Sequence, residues 1–192
     1  MRRRSRTIAL TILGASAFAL AGCKEDQIDA QAYPDLETCQ QQANSGGLLA
    51  PGQCEDAFAE AQQLHVEAAP RYDSLAVCEE QHGQGACGSE AEQVAGGGSG
   101  GIFMPLLAGY LIGNMLGGRS GLAGAQPMYR TPDGRFATPS GASTFSSNQG
   151  KASLSQNQFA RPAATAGKAP MTRASAASRG GFGSTGARSF GG

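Results

Sequence analysis

The sequence predicts a mostly α-helical protein with extensive disorder: a small disulfide-stapled helical domain, a short glycine-zipper helix, and a low-complexity disordered tail. Three observations predict it. Tyr33-x-x-Leu36-x-x-Cys39 recurs as Tyr72-x-x-Leu75-x-x-Cys78, and each copy is followed by a Gly-x-Cys, at Gly52-Gln53-Cys54 and Gly85-Ala86-Cys87. Gly109, Gly113 and Gly117 recur every fourth residue inside an apolar run. From Ala137 to Gly192 only six large apolar side chains occur in fifty-six residues, too few for a packed core.

The first element is an export signal. Arg2, Arg3, Arg4 and Arg6 precede an apolar run from Ile8 to Ala21 that closes on Leu20-Ala21-Gly22-Cys23. Basic residues, a short apolar stretch, small residues and a cysteine in that order are how an exported bacterial lipoprotein begins. Residues 1–22 are therefore expected to be a signal peptide, with Cys23 as the lipidated first mature residue. At about 0.8 kcal/mol per buried CH2, its acyl chains would make a nearly permanent anchor. The competing reading is an uncleaved anchor helix with an incidental cysteine. Lys24 stands where an aspartate would retain the protein at the inner membrane of enteric-type bacteria, so the expected location is the outer membrane, facing the periplasm. Residues 23–29 read as a lipid-anchored tether.

Formal neutrality of the chain conceals a segregation of charge. Cys23 to Gly100 holds fourteen acids and two bases (Lys24, Arg71), whereas Gly101 onward holds nine bases and one acid, Asp133. Residues 94–101 are a Gly-rich linker at that boundary.

Residues 30–93 read as an acidic disulfide-stapled helical domain. Tyr, Leu and Cys at steps of three share one helical face, so each repeat unit is expected to be a short helix begun near Asp35 or Asp73 as N-cap. Four cysteines allow three connectivities, and the repeat favours Cys39–Cys54 and Cys78–Cys87, each local to its unit. A four-cysteine zinc site is the rival, but close Cys-x-x-Cys pairs are missing. Glu55 to Ala68 reads as the best helix, with Phe58, Ala61, Leu64 or His65, and Ala68 on one side, ended by Pro70. His65 and His82, the only histidines, read as ordinary exposed or half-buried residues rather than ligands or bases.

Residues 102–118 read as an apolar glycine-zipper helix, whose Gly109, Gly113 and Gly117 would let another backbone approach closely. Ile102 to Leu116 would span about 22 Å against about 30 Å of hydrocarbon, too short for a simple crossing. A helix-pairing element, a segment dipping into the membrane and an ordinary core helix all remain open. Residues 119–192 read as a basic low-complexity tail, largely disordered, in which Met128–Thr138, with Pro132-Asp133-Gly134, makes one turn or a marginal hairpin. Arg179-Gly180-Gly181-Phe182-Gly183 has the composition of single-stranded nucleic acid binders, a reading that export makes improbable. Anionic lipid, lipopolysaccharide, peptidoglycan or the chain's own acidic domain suit the tail better, unless it is simply solvated.

Two catalytic patterns match formally. Gly97-Gly98-Ser99-Gly100-Gly101 fits G-x-S-x-G, and Gly96-x-Gly98-x-x-Gly101 fits the dinucleotide fingerprint, yet neither follows an apolar strand and both are products of polyglycine. No enzyme activity, metal or cofactor is expected.

The lipobox, the acidic Cys-bearing stretch, Phe103-Met104-Pro105-Leu106-x-Ala108-Gly109-Tyr110-x-x-Gly113-x-x-x-Gly117-Gly118, Gln126-Pro127 and Arg179-Gly180-Gly181-Phe182-Gly183 together resemble the YgiB family of bacterial predicted lipoproteins. The resemblance implies no assigned activity and supplies no catalytic residues; genes of that family often lie beside one for an ATP-grasp ligase. The expected role is a structural or interaction module of the cell envelope, held to the membrane by its lipid, with self-association or an envelope protein as partner and no nucleic acid. The alternative is an accessory subunit that binds an envelope enzyme or a cationic polyamine-type ligand through its acidic domain.

Overall fold

The computed structural model describes residues 27–47, 49–114, 122–141 and 143–183; the expected signal peptide, Cys23 and Gly117 lie outside them. In chain order, β1 (Gln27–Tyr33) is followed by α1 (Leu36–Asn44), α2 (Pro51–Ala68), α3 (Leu75–His82), β2 (Cys87–Ser89), α4 (Glu90–Gln93) and β3 (Phe103–Pro105). Then come β4 (Gly109–Asn114), β5 (Leu122–Arg130), β6 (Phe136–Ala137), β7 (Thr144–Phe145), β8 (Gly150–Ser155), a 3-10 turn (Gln156–Phe159) and α5 (Arg173–Ser178). The fold is mixed α/β rather than mostly helical. A curled six-stranded antiparallel sheet runs in the order β7-β6-β5-β4-β1-β8, beside a separate β2-β3 pair.

The helical units form as their local chemistry dictates. Asp35 caps α1 by accepting from the Thr38 amide at 2.7 Å, and Ser74, one residue after the expected Asp73, caps α3 through Val77. Gln53 reaches back to the Ala50 amide at the start of α2, and α2 ends two residues before Pro70. Both expected disulfides are present, Cys39–Cys54 and Cys78–Cys87, closing sequence separations of 15 and 9 residues. One part of the repeat reading needs correction. Tyr33 ends β1, and Tyr72 makes isolated bridges to Phe103 and Met171, so each tyrosine precedes its helix instead of sharing a helical face with the cysteine.

α2 lies over one face of the sheet. Its Ala57 and Ala61 join Tyr33, Tyr110, Ile112, Ala125 and the buried Cys39–Cys54 pair in one core, with Phe58 packed against it. Ile28, Ala30 and Ala32 of β1 alternate to the opposite face, where Leu111, Met128 and Phe159 form a second core.

The glycine-zipper helix is overturned. Phe103–Pro105 pairs with β2, and Gly109–Asn114 is the strand between β1 and β5. Tyr110, Leu111 and Ile112 are all buried, Tyr110 and Ile112 toward α2 and Leu111 toward the other face. A strand covered on both sides reads as an unbroken apolar run, which periodicity does not separate from a buried helix. Gly109 serves backbone proximity within this chain: at φ +142°, a Cβ would lie 2.7 Å from the Tyr33 carbonyl oxygen and 3.3 Å from Pro34 Cα.

The reading of the tail as disordered is likewise corrected over its described residues, 122–141 and 143–183. Of the expected tether, residues 23–26 lie outside the described residues. Residues 27–29 belong to β1, which is hydrogen-bonded on both sides, to β4 and to β8. The expected turn at Pro132-Asp133-Gly134 joins β5 to β6, with the Thr131 amide donating to Arg135 and Gly134 at φ +79°. Few apolar residues suffice here because the tail shares its core with the rest of the chain. It supplies four of the six strands, β5 to β8, with β5 paired to β4 and β8 to β1, and Met128 and Phe159 complete the core begun by Ala30, Ala32 and Leu111.

Gly109→Ala should lower stability by about 1–3 kcal/mol through strain and overlap, seen as a lower urea midpoint without any change in oligomeric state. Replacing Cys39 and Cys54 together by alanine should cost roughly 3 kcal/mol on the chain-entropy model, read from the same denaturation curve.

Candidate functional site

Where α2 ends, the backbone delivers three consecutive residues that organise the rest. Pro70 stops the helix, Arg71 turns inward and Tyr72 enters the bridge to Phe103. The Arg71 side chain is only 3% exposed, so its charge must be paired. Nε donates to Glu90 Oε1 at 2.6 Å, Nη1 to Thr165 Oγ1 at 2.6 Å and to the Ala69 carbonyl at 3.2 Å, and Nη2 to the Val66 carbonyl at 2.7 Å. Thr165 Oγ1 in turn donates to Ala69, and the Thr165 and Ala166 amides donate to Glu67. One guanidinium thus ties α2 to α4 and to the tail. Its hydrogen bond holds the Glu90 carboxyl below the usual carboxylate range.

Two buried histidines lie beside it. Gln93 donates to the Gly88 and Met104 carbonyls, which turns its Oε1 toward His65 Nε2 at 3.2 Å. His65 therefore carries its proton on Nε2, and Nδ1 accepts from the Tyr129 hydroxyl at 3.2 Å. At His82, Nδ1 donates to the Arg130 carbonyl at 2.8 Å and Nε2 accepts from the Tyr72 hydroxyl at 2.9 Å. Phe182 of the tail packs against the His82 ring in a tilted contact, centroids 4.3 Å apart at 47°, and its amide donates to Gln81 Oε1 at 2.8 Å. Burial depresses His65 and pushes His82 down to about 4, while it raises Tyr72 and Tyr129 above the usual phenol range. Both imidazoles are neutral at pH 7.

Outside this cluster opens a cleft of about 570 Å3, between the end of α2, Gln81 of α3 and the tail. Pro70, Pro162, Ala163, Met171 and Phe182 supply apolar wall, and Arg71, Lys168 and Arg179 supply cations; no carboxylate lines it. The site residues read from the sequence stand apart from the cleft. Both disulfides are structural staples, Gly109 and Gly113 lie in β4, and Cys23 and Gly117 are outside the described residues. His65 and His82, which the sequence leads one to expect as ordinary exposed or half-buried residues, are 7% and 0% exposed. The available signal was Arg71, a lone base in an acidic stretch immediately before the repeated tyrosine. Among the described residues, no group of three or more His, Cys, Asp or Glu is arranged to hold a metal ion.

The histidines set a pH dependence. A folded-state value below the unfolded one means that the unfolded chain binds more protons in between, so stability is complete above about pH 6.5 and falls as pH drops toward 4. His82 alone should account for about 3 kcal/mol over that window. The carboxyls held low, such as Glu80 and Glu90, act in the same direction but only below about pH 4.5, so the loss between pH 6.5 and 5 belongs to the imidazoles. Urea midpoints measured across that range should fall for the wild type and fall less for His82→Gln, which starts lower.

Residues 27–191 match the family model described as "Protein of unknown function (DUF1190)". The chain is 32% identical to a UPF0441 protein of Pectobacterium carotovorum subsp. carotovorum, an alignment covering 95% of this chain and 82% of that one. It is 31% identical to a UPF0441 protein of Erwinia tasmaniensis, covering 94% and 81%, and 30% identical to one of Yersinia pestis bv. Antiqua, covering 94% and 82%. No solved structure matches. The chain belongs to the DUF1190 family of proteins of unknown function.

Proposed function

We propose that this protein is a cell-envelope lipoprotein of the YgiB type, acylated at Cys23, that acts as a binding and interaction module rather than as an enzyme. The observation that carries this reading is Leu20-Ala21-Gly22-Cys23 after a basic and then an apolar stretch. Two observations support it. The remaining four cysteines form two disulfides, as suits an oxidising compartment. β1 begins four residues after Cys23, so the lipid would hold the sheet close to the membrane surface. Lys24 directs it to the outer membrane, facing the periplasm. No helix among the described residues is long and apolar enough to cross a membrane.

The buried imidazoles serve the fold in this reading. His82 is fully buried with both ring nitrogens committed, to Tyr72 and to Arg130, so neither reaches a substrate. The partner is an envelope protein or a small ligand, and nucleic acid is not one. Part of the acidic charge that a polyamine would need is already used within the chain, Glu67 by Arg161, Glu80 by Arg173 and Glu90 by Arg71.

Metabolic labelling with a fatty acid tests the reading. The wild type should carry label, and Cys23→Ser should lose it and accumulate as unprocessed precursor; label persisting in Cys23→Ser would end the lipoprotein assignment.

A further inference from the structure

We propose that the cleft beside Arg71 and Tyr72 binds a small amphipathic anion, an apolar body carrying a carboxylate group. The proposal rests on the reading of the chain as a binding module and not on the lipid anchor, so this test and the labelling test fail separately. Its volume, about 570 Å3, lies within the range of small-ligand sites. Its walls are largely apolar, from Pro70, Pro162, Ala169, Met171 and Phe182, and such walls reward a hydrocarbon body by removing it from water.

Charge selects the other end of the ligand. Acids outnumber bases fourteen to two from Cys23 to Gly100, yet the cleft brings together Arg71, Lys168 and Arg179 and no carboxylate. Arg71 is spent on Glu90, Thr165 and two carbonyls. Lys168 and Arg179 are different. Three ion pairs occur among the described residues, on Arg71, Arg161 and Arg173, and Lys168 and Arg179 are in none of them. Among the described residues, the Arg179 guanidinium hydrogen-bonds the Met171 sulfur alone, at 3.5 Å. Two exposed cations that line an apolar cleft and have no carboxylate partner among the described residues suit an anionic head on an apolar body. A cationic ligand would meet repulsion there.

The full-length protein as isolated, held in nanodiscs of zwitterionic lipid by its acyl chains or, if unprocessed, by its N-terminal apolar stretch, is dialysed to equilibrium against radiolabelled octanoate, with empty nanodiscs as the blank. Saturable binding of one octanoate per chain is expected, weakened by salt and displaced poorly by octanol, octylammonium or inorganic phosphate. Lys168→Ala with Arg179→Ala should weaken it at least about tenfold; both residues are exposed, so the fold is retained. Ala169→Trp, from an exposed position on the wall, should abolish binding by filling the cleft. No saturable binding above the blank would overturn the proposal, as would unchanged affinity in either variant. Equal displacement by octylammonium would remove the anion, and equal displacement by phosphate would remove the apolar body.

Discussion

A buried cation organises this molecule. Arg71 sits in a segment dominated by carboxylates, and its guanidinium is withdrawn from water, which is tolerable only where its N–H groups find acceptors. Those acceptors come from the last turn of α2, from Glu90 in α4 and from Thr165 in the tail. Satisfying one side chain therefore requires three separate stretches of chain to be in place together. Removing Arg71 would leave Glu90 and the helix-end carbonyls facing a void, so the residue constrains the assembly more than its pairwise contacts suggest.

The same demand explains why the segregated charges do not leave two independent halves. Arg161 pairs with Glu67 and Arg173 with Glu80, each linking basic tail to acidic helix. Both pairs are substantially exposed and contribute little stability individually. They lie on the same stretches of tail as Thr165, which meets Arg71, and Phe182, which lies against His82. The tail closes the core that the repeated Tyr-x-x-Leu-x-x-Cys units begin: Tyr72 donates to His82, and Phe182 packs against that ring. Once the nearby acids are taken up in this way, the cleft that remains is cationic.

The local parts of the fold were legible in the sequence. Asp35 as a cap, Pro70 as a stop, the turn at Pro132-Asp133-Gly134 and both disulfides depend on residues fewer than about twenty positions apart, where side-chain chemistry acts on its own backbone. The apolar face of α2, with Ala61, Leu64 and Ala68 buried, also follows from local periodicity. The candidate site was barely legible. His82 gains its partners from Tyr72, ten residues earlier, from Arg130 and from Phe182, and no window of sequence contains them all.

Sequence by itself determined the pairing of the four cysteines in local loops, the Asp35 cap of α1, the end of α2 before Pro70 and the division of charge. Tertiary structure decided that Gly109–Asn114 is a strand and that β1 is gripped between β4 and β8. It also decided that a tail poor in apolar residues is ordered against the acidic helices. The reason is the range of the interactions. Caps, turns and local disulfides act within a unit, whereas a strand buried on both faces carries no period of its own and takes its identity from partners far away in the chain.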